Sequence, residues 1–158
     1  MIGTVEFNSA CFYRYANVDM AQLVENLDGD RELALNGLGA FLRALVSAVP
    51  SSKQNSMAAQ DPPDFVMAVV RDAGLWQLAN AFAKPVRPTL QKDLVTASVE
   101  ALDNYWGRLK LAYGEGALRE TCAVCLVDAD LKNLESARVP TVGELETRVL
   151  AAVGADLR

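Results

Sequence analysis

The residues that could carry out chemistry in this chain are few, because it contains three cysteines and no histidine. The missing histidine excludes a Ser-His-Asp triad, a Cys-His pair, an HExxH zinc site and a histidine general base within these residues. Cys122 and Cys125 have the C-x-x-C spacing of redox and metal sites. They lie in an apolar segment typical of a buried strand, where residues three apart point to opposite faces. We therefore predict two core cysteines and neither a metal site nor a cofactor, with a small cytosolic thiol-dependent enzyme as the alternative.

A polar loop follows Pro50 and contains side chains that suit a nucleic-acid backbone, namely Lys53, Gln54, Asn55 and Ser56. One ammonium group and several short amide and hydroxyl groups can bind phosphate and ribose 2′-OH without reading a base sequence. The alternative is a solvated connection between a helix and a strand. The residue types alone leave both interpretations open.

Lys84 and Arg87 form a second candidate site for a nucleic-acid backbone. Pro85 and Pro88 hold this segment extended, so the two cations project from a stiff loop at little entropic cost. Such a loop could contact RNA or a displaced DNA strand, or it could simply expose two cations to solvent. Arg14, on the polar face of the first predicted strand, is a further candidate.

The charge distribution limits what kind of nucleic-acid binder the chain could be. A net charge of −5 argues against a broad basic surface. However, residues 78–92 carry three cations and no acid, residues 46–60 carry one cation and no acid, and acids are concentrated in the last third. A narrow basic track with an acidic flank fits this distribution. A scaffold module that binds only protein through that flank is the alternative.

Hydrophobic periodicity indicates alternating strands and helices in an α+β fold. The predicted elements are strands over residues 5–15, 65–70 and 121–127, and helices over residues 20–26, 31–49, 91–113 and about 142–153. Asp19 is the predicted N-cap of the first helix, Thr141 and Glu144 form a capping box for the last, and Gly154 is predicted to end it. Phe12 breaks the alternation of the first strand. It is either a base-stacking platform or, as we favour, covered by a helix or a neighbouring subunit.

Membrane association and secretion are not predicted. Every apolar run is short and bounded by charge, proline or glycine, so none could span a bilayer. Met1 leads directly into strand-like alternation, without the basic and apolar regions of a signal peptide. The expected localisation is therefore cytoplasmic.

Two segments give the chain its likeness to a known protein family. They are Phe12-Tyr13-Arg14-Tyr15-Ala16-Asn17, near the start, and Leu78-Ala79-Asn80-Ala81-Phe82, near the middle. Both resemble the CasC family, the guide-RNA-binding backbone subunit of the type I-E CRISPR Cascade complex. The likeness runs in collinear order through the chain and includes the polar loop and a short terminal helix after a Pro-Thr turn.

The resemblance implies a fold, a function and a set of partners. The fold is a partial palm domain of ferredoxin-like, RNA-recognition-motif type, with an antiparallel sheet and packing helices. The function is non-catalytic: the chain polymerises along the guide RNA and supports its pairing with target DNA. Partners are the guide RNA, target DNA through the RNA duplex, copies of the chain itself and other Cascade subunits. Base pairing would read the sequence, and the RNA backbone would be held by Lys53, Gln54, Asn55, Ser56, Arg14, Lys84 and Arg87.

The resemblance begins inside the family's sequence. Met1 corresponds to a position beyond the family's first RNA-binding elements, so residues 1–158 are expected to be the C-terminal part of a single palm domain. The N-terminal palm elements, the fingers and most of the thumb are then absent. Such a fragment, split gene product or incomplete gene model would expose sheet edges and apolar surface. We expect it to be poorly stable and to bind RNA weakly on its own.

Overall fold

The structure is a computed structural model that describes residues 10–49 and 60–156. Two antiparallel strands form its sheet, β1 (Phe65–Arg71) and β2 (Leu118–Cys125). Four α-helices accompany them: α1 (Met20–Asn26), α2 (Arg31–Ser47), α3 (Leu94–Tyr113) and α4 (Val142–Asp156). The predicted α+β class with an antiparallel sheet is therefore confirmed.

The sheet separates two cores, and each strand contributes to both of them because successive side chains of a strand point to opposite faces. One core lies between the sheet and α3, and its strand residues are Phe65, Met67, Val69, Leu118 and Cys125. The other lies between the sheet and helices α2 and α4, and its strand residues are Val66, Ala68, Val70, Cys122 and Val124. The register places Phe65 opposite Cys125 and Val66 opposite Val124, so partners across the pair share a face. A one-residue slip would exchange the two cores.

Helix α3 confirms the predicted long amphipathic helix. It begins three residues later than predicted because Asp93 is its N-cap, accepting hydrogen bonds from the Thr96 backbone N–H at 2.9 Å and hydroxyl at 2.7 Å. One apolar face of α3 packs in the core between α3 and the sheet, where Trp106 is only 2% exposed. Gly114 has a φ of 76° and is the C-cap, as a positive φ there favours glycine.

Two of the other predicted caps are also confirmed. Asp19 accepts the N–H of Gln22 at 3.1 Å at the start of α1, and the Thr141 hydroxyl accepts the N–H of Glu144 at 3.1 Å at the start of α4. Helix α2 ends at Ser47, two residues before the predicted end. Of the helices that the structure describes, none has the length and apolarity required to cross a bilayer.

The prediction that Gly154 ends the last helix is wrong, since α4 continues to Asp156. Gly154 lies against α2: a Cβ at this position would be 3.7 Å from Cδ1 of Leu35. Glycine lowers helix propensity by about 1 kcal/mol relative to alanine. Packing of α4 on α2 outweighs that tendency, as tertiary contacts usually do for helices.

The predicted first strand is wrong over residues 10–15, which have no regular secondary structure. Residues 5–9 of that prediction lie outside the described residues. Tyr13 and Arg14 instead use their side chains to contact Leu78 and Ala48, in two separate loops. The hydrogen bonds of Tyr13 and Arg14 are therefore with residues outside both strands of the sheet.

The segment that follows β2 is held to α3 by a buried carboxylate. Asp103 is fully buried and accepts the backbone N–H groups of Lys132, Asn133 and Leu134 at distances of 2.9 to 3.2 Å. It also accepts the side-chain amide of Asn133 at 2.9 Å. Gly107, one turn further along α3, leaves the space that the Asn133 side chain occupies.

Candidate nucleic-acid interface

The structure places Lys84 and Arg87 on an exposed segment that we call the basic loop, residues 83–92. Every other cation among the described residues takes part in an ion pair, a hydrogen bond, a ring contact or another electrostatic interaction. Lys84 and Arg87 have no such interaction within those parts of the chain. Their charges are therefore not neutralised locally and are available to an anionic ligand.

The start of the basic loop is attached to the segment that contains Tyr13. The Tyr13 hydroxyl accepts the backbone N–H of Leu78 at 3.1 Å, and its ring lies 5.6 Å from that of Phe82 at an angle of 54°. Burial raises the pKa of the Tyr13 hydroxyl, so it stays protonated. Residues Ala79–Phe82 form a 3-10 turn that leads directly into the loop. The two segments that carry the family likeness are thus in contact.

The end of the basic loop is attached to α3. Lys92 Nζ contacts both carboxylate oxygens of Glu100 at 2.6 Å, and the Thr89 hydroxyl accepts the backbone N–H of Lys92 at 3.1 Å. The hydrogen bond from Lys92, followed by one from the backbone N–H of Asp130, lowers the pKa of Glu100. Stability from this lowered pKa is present above the ordinary pKa of glutamate and is lost as the pH falls through the lowered value.

Arg14, the third cation predicted to bind RNA, makes a different contact. Its Nη1 donates to the carbonyl oxygen of Ala48 at 2.7 Å, and Ala48 is the C-cap of α2. This bond satisfies a carbonyl at the helix end and brings positive charge to the negative end of the helix dipole. The contact supports a bracing role for Arg14, while its role as an RNA ligand stays a prediction.

The remaining predicted contacts fall in two places. Lys53, Gln54, Asn55 and Ser56 lie outside the described residues, so their predicted role stays a prediction. Phe12 is described, and its side chain is 83% exposed. Cover by another helix, one of the two forms of our favoured interpretation, is therefore wrong for the described part of the chain, and cover by a neighbouring subunit stays a prediction.

The two cysteines of the C-x-x-C spacing lie on opposite faces of β2, as predicted. Cys122 is fully buried in the core with α2 and α4, and Cys125 is half-buried in the core with α3. Burial raises the pKa of Cys122 to about 11 and also raises that of Cys125. A raised pKa leaves little of the reactive thiolate near neutral pH. No group of potential metal ligands occurs among the described residues.

Alkylation of the native chain should distinguish its cysteines. At pH 8, iodoacetamide should modify the exposed Cys11 first and Cys122 at least about tenfold more slowly, because Cys122 is buried and its pKa is raised. Mass spectrometry of peptides from timed samples gives the rates, and a urea-unfolded sample in which all three react serves as the control. Fast native labelling of Cys122 would support the thiol-dependent alternative.

An open cleft of about 240 Å³ is lined by residues of α3, β2 and α4. Its charged lining is largely paired internally: Lys110 lies 3.4 Å from Glu115, and Arg148 lies 2.7 Å from Glu120. The hydrogen bonds that Arg148 donates to Glu120 raise the pKa of Arg148 further. Because these cations already have carboxylate partners, the basic loop is the better candidate for binding phosphate.

Sequence reasoning missed Tyr13 and Glu100 as attachments of the basic loop. Tyr13 is 65 residues from its hydrogen-bond partner, and its place in an alternating pattern predicted a sheet face. Glu100 is eight residues from Lys92, which is outside the three- and four-residue spacings that indicate pairs on one helix. The local sequence around Tyr13 and Glu100 therefore held no signal for either contact.

Comparisons with known proteins agree with this architecture. The chain matches the family model described as CT1975-like protein over residues 1–149. It is similar to a chain of a solved CRISPR RNA-guided surveillance complex, with 31% identity and a TM-score of 0.77 over 86% of this chain and 50% of that one. A chain of a CRISPR RNA-guided surveillance complex described as pre-nicking gives 32% identity and a TM-score of 0.74, over 85% of this chain and 35% of that one. No curated protein gives a significant match.

Both kinds of match cover most of the chain. The family model extends from residue 1 to residue 149, and the solved chains share the fold over most of the protein at more than 30% identity. This chain spans half or less of the length of those solved chains. The resemblance inferred from the two sequence segments is confirmed at the family level, and the chain belongs to the CT1975-like protein family.

Proposed function

We propose that this chain is a non-catalytic, RNA-binding structural subunit of a CRISPR surveillance complex of the CasC, type I-E kind. In such a complex it would polymerise along the guide RNA and support the pairing of that RNA with target DNA. Its partners would be the guide RNA, copies of itself and other subunits. The observation that carries the proposal is the similarity, at 31% and 32% identity, to two chains of RNA-guided surveillance complexes.

The basic loop is the feature that suits an RNA backbone. Lys84 and Arg87 are exposed cations without partners in the described residues, and each precedes a proline that restricts the chain. Phosphate contacts of this kind position a protein on a nucleic acid but carry no sequence information. That property fits a subunit in which the guide reads the target by base pairing and the protein holds the backbone.

A structural role also fits the chemistry of the thiols. The pKa values of Cys122 and Cys125 are raised, whereas a catalytic cysteine needs a lowered one. The two thiols also face different cores, so they do not form one reactive pair. These observations favour binding and assembly over the thiol-dependent alternative.

The match to only half or less of each solved chain leads to a proposal about the domain. We infer that residues 1–158 contribute part of an RNA-recognition-motif palm and that further palm, finger and thumb elements complete the RNA-binding surface. The sheet formed by residues 10–49 and 60–156 has two strands, covered by α2, α3 and α4, which is compatible with part of the larger sheet of an RNA-recognition motif. Weak RNA binding by this chain alone is the expected consequence.

Charge reversal in the basic loop tests the proposed function. The double variant Lys84→Glu/Arg87→Glu should reduce the guide RNA that copurifies with the tagged chain, expressed together with the complex, by about tenfold. Each phosphate contact contributes a salt-dependent share of the affinity. For single strands, the logarithm of the binding constant falls with the logarithm of the salt concentration by about 0.7 per contact. Quantitative sequencing of the copurified RNA measures the loss.

The matched control is Arg108→Glu/Lys132→Glu, which changes the net charge equally at two exposed positions outside the basic loop. It should retain the RNA. Equal RNA recovery from both double variants, with protein partners retained, would instead support the scaffold module that binds only protein.

A further inference from the structure

We propose that Tyr13 and Glu100 are positioning residues that hold the two ends of the basic loop so that Lys84 and Arg87 meet the phosphates of single-stranded RNA already ordered. This inference rests on the proposed function, since it concerns how the same loop binds RNA. Neither residue would touch the RNA. Each would act through the backbone or side chain of the loop to which it is bonded.

At the start of the loop, Leu78 connects Tyr13 to the core. The Leu78 side chain is only 7% exposed and packs in the core with α3, while its backbone N–H donates to the Tyr13 hydroxyl at 3.1 Å. The Tyr13 ring also contacts Phe82, which ends the 3-10 turn two residues before Lys84. The chain that precedes Lys84 is therefore held from both the core and the surface.

At the end of the loop, Glu100 connects Lys92 to a second segment. Both of its oxygens lie 2.6 Å from Lys92 Nζ, and Oε1 also accepts the backbone N–H of Asp130 at 3.2 Å. Glu100 lies on α3, so it joins the loop to a helix whose buried face is part of the core. The Thr89 backbone N–H, which donates to the Lys92 carbonyl at 2.8 Å, closes the final turn.

Among the three cations of residues 78–92, Lys92 is paired with a carboxylate, whereas Lys84 and Arg87 are not. Lys92 and Glu100 cancel each other's charge, so Glu100 supports the loop without repelling a phosphate. Lys84 and Arg87 lie between the two attachments and beside Pro85 and Pro88. Binding RNA then requires little further ordering of the loop, which lowers the entropic cost of association.

Hydrogen exchange of backbone amides shows, in the absence of RNA, whether Tyr13 and Glu100 order the loop. In the full chain, Tyr13→Phe and Glu100→Gln should each accelerate exchange of backbone amides in residues 78–92. Tyr13→Phe removes the hydroxyl that accepts a hydrogen bond but keeps the ring, and Glu100→Gln removes the negative charge but keeps a side chain of the same size. The controls are Tyr15→Phe, in the same segment, and Glu115→Gln, which removes the ion pair with Lys110. The inference is wrong if exchange in residues 78–92 is unchanged in both test variants.

The affinity of the chain for fluorescein-labelled oligouridine at low salt shows whether the two attachments position the cations for RNA. Tyr13→Phe and Glu100→Gln should each weaken binding by about three- to tenfold, the cost of ordering about one additional side chain or loop segment. The same substitutions in a Lys84→Ala/Arg87→Ala background should cause no further loss, because no ordered cations remain to be positioned. Glu115→Gln controls for the change in net charge.

The double variant separates the two hypotheses. If Lys84→Ala/Arg87→Ala binds oligouridine like the wild-type chain, the proposed role of the loop fails. If that variant loses affinity but Tyr13→Phe and Glu100→Gln weaken binding by the same factor in both backgrounds, the proposed function stands and the positioning inference fails, since independent effects add.

Discussion

Replacing Asp103 with alanine should lower the free energy of unfolding by about 3–5 kcal/mol, the largest effect that we expect of any single substitution in this chain. The carboxylate is fully buried and accepts the backbone N–H groups of Lys132, Asn133 and Leu134. Alanine would leave these donors without an acceptor in a region that excludes water. A buried donor without a partner costs about 1–3 kcal/mol.

Urea unfolding followed by tryptophan fluorescence measures this loss, since Trp106 lies in the same core as Leu134. Asp103→Asn should cost less than Asp103→Ala, because an amide keeps one of the two acceptor oxygens. Asn104→Ala, next to it on the exposed side of α3, is the control and should change stability by less than about 1 kcal/mol. A loss for Asp103→Ala no larger than that of the control would contradict the anchoring role.

Gly107→Ala should destabilise the chain by about 1–3 kcal/mol, although alanine is the better helix former. A Cβ at this position would overlap the side-chain amide of Asn133. Asn133 would have to move, and its hydrogen bonds to Asp103 would be distorted with it. Steric overlap therefore dominates over the gain of about 1 kcal/mol in helix propensity.

Gly37→Ala is the matched control for this prediction. Gly37 also lies inside a helix, but nothing in the described residues is within 4 Å of a Cβ there, so the substitution should stabilise the chain by about 0.5–1 kcal/mol. Asn133→Ala should remove the penalty of Gly107→Ala, as measured by urea unfolding of the double variant. A penalty that persists in the Asn133→Ala background would show that some other contact resists the added methyl group.

Features encoded by neighbouring residues were the predictable part of this fold. The three- and four-residue spacing of apolar side chains predicted α3 as a core helix, and the two-residue alternation of strands predicted that Cys122 and Cys125 would face apart. The caps Asp19 and Thr141 followed from hydrogen bonds that close over three residues. In each case the signal and the contact lie in the same short segment.

Contacts between distant segments were not predictable from the pattern. Residues 10–15 alternate like a strand, but they have no regular secondary structure, and Tyr13 is hydrogen-bonded to Leu78, 65 residues away. The anchoring of residues 132–134 by Asp103, about 30 residues earlier, likewise has no local signature. In the candidate site, residue types alone identified Lys84 and Arg87, whereas only the fold shows that Lys92 is neutralised by Glu100.

The prolines of the basic loop have a consequence for proteolysis. Trypsin-like proteases cleave after lysine or arginine, and a following proline blocks the cut. Lys84 precedes Pro85 and Arg87 precedes Pro88. The two cations are thus exposed to solvent, where they could meet a phosphate. The Lys84–Pro85 and Arg87–Pro88 peptide bonds nevertheless resist enzymes of that specificity.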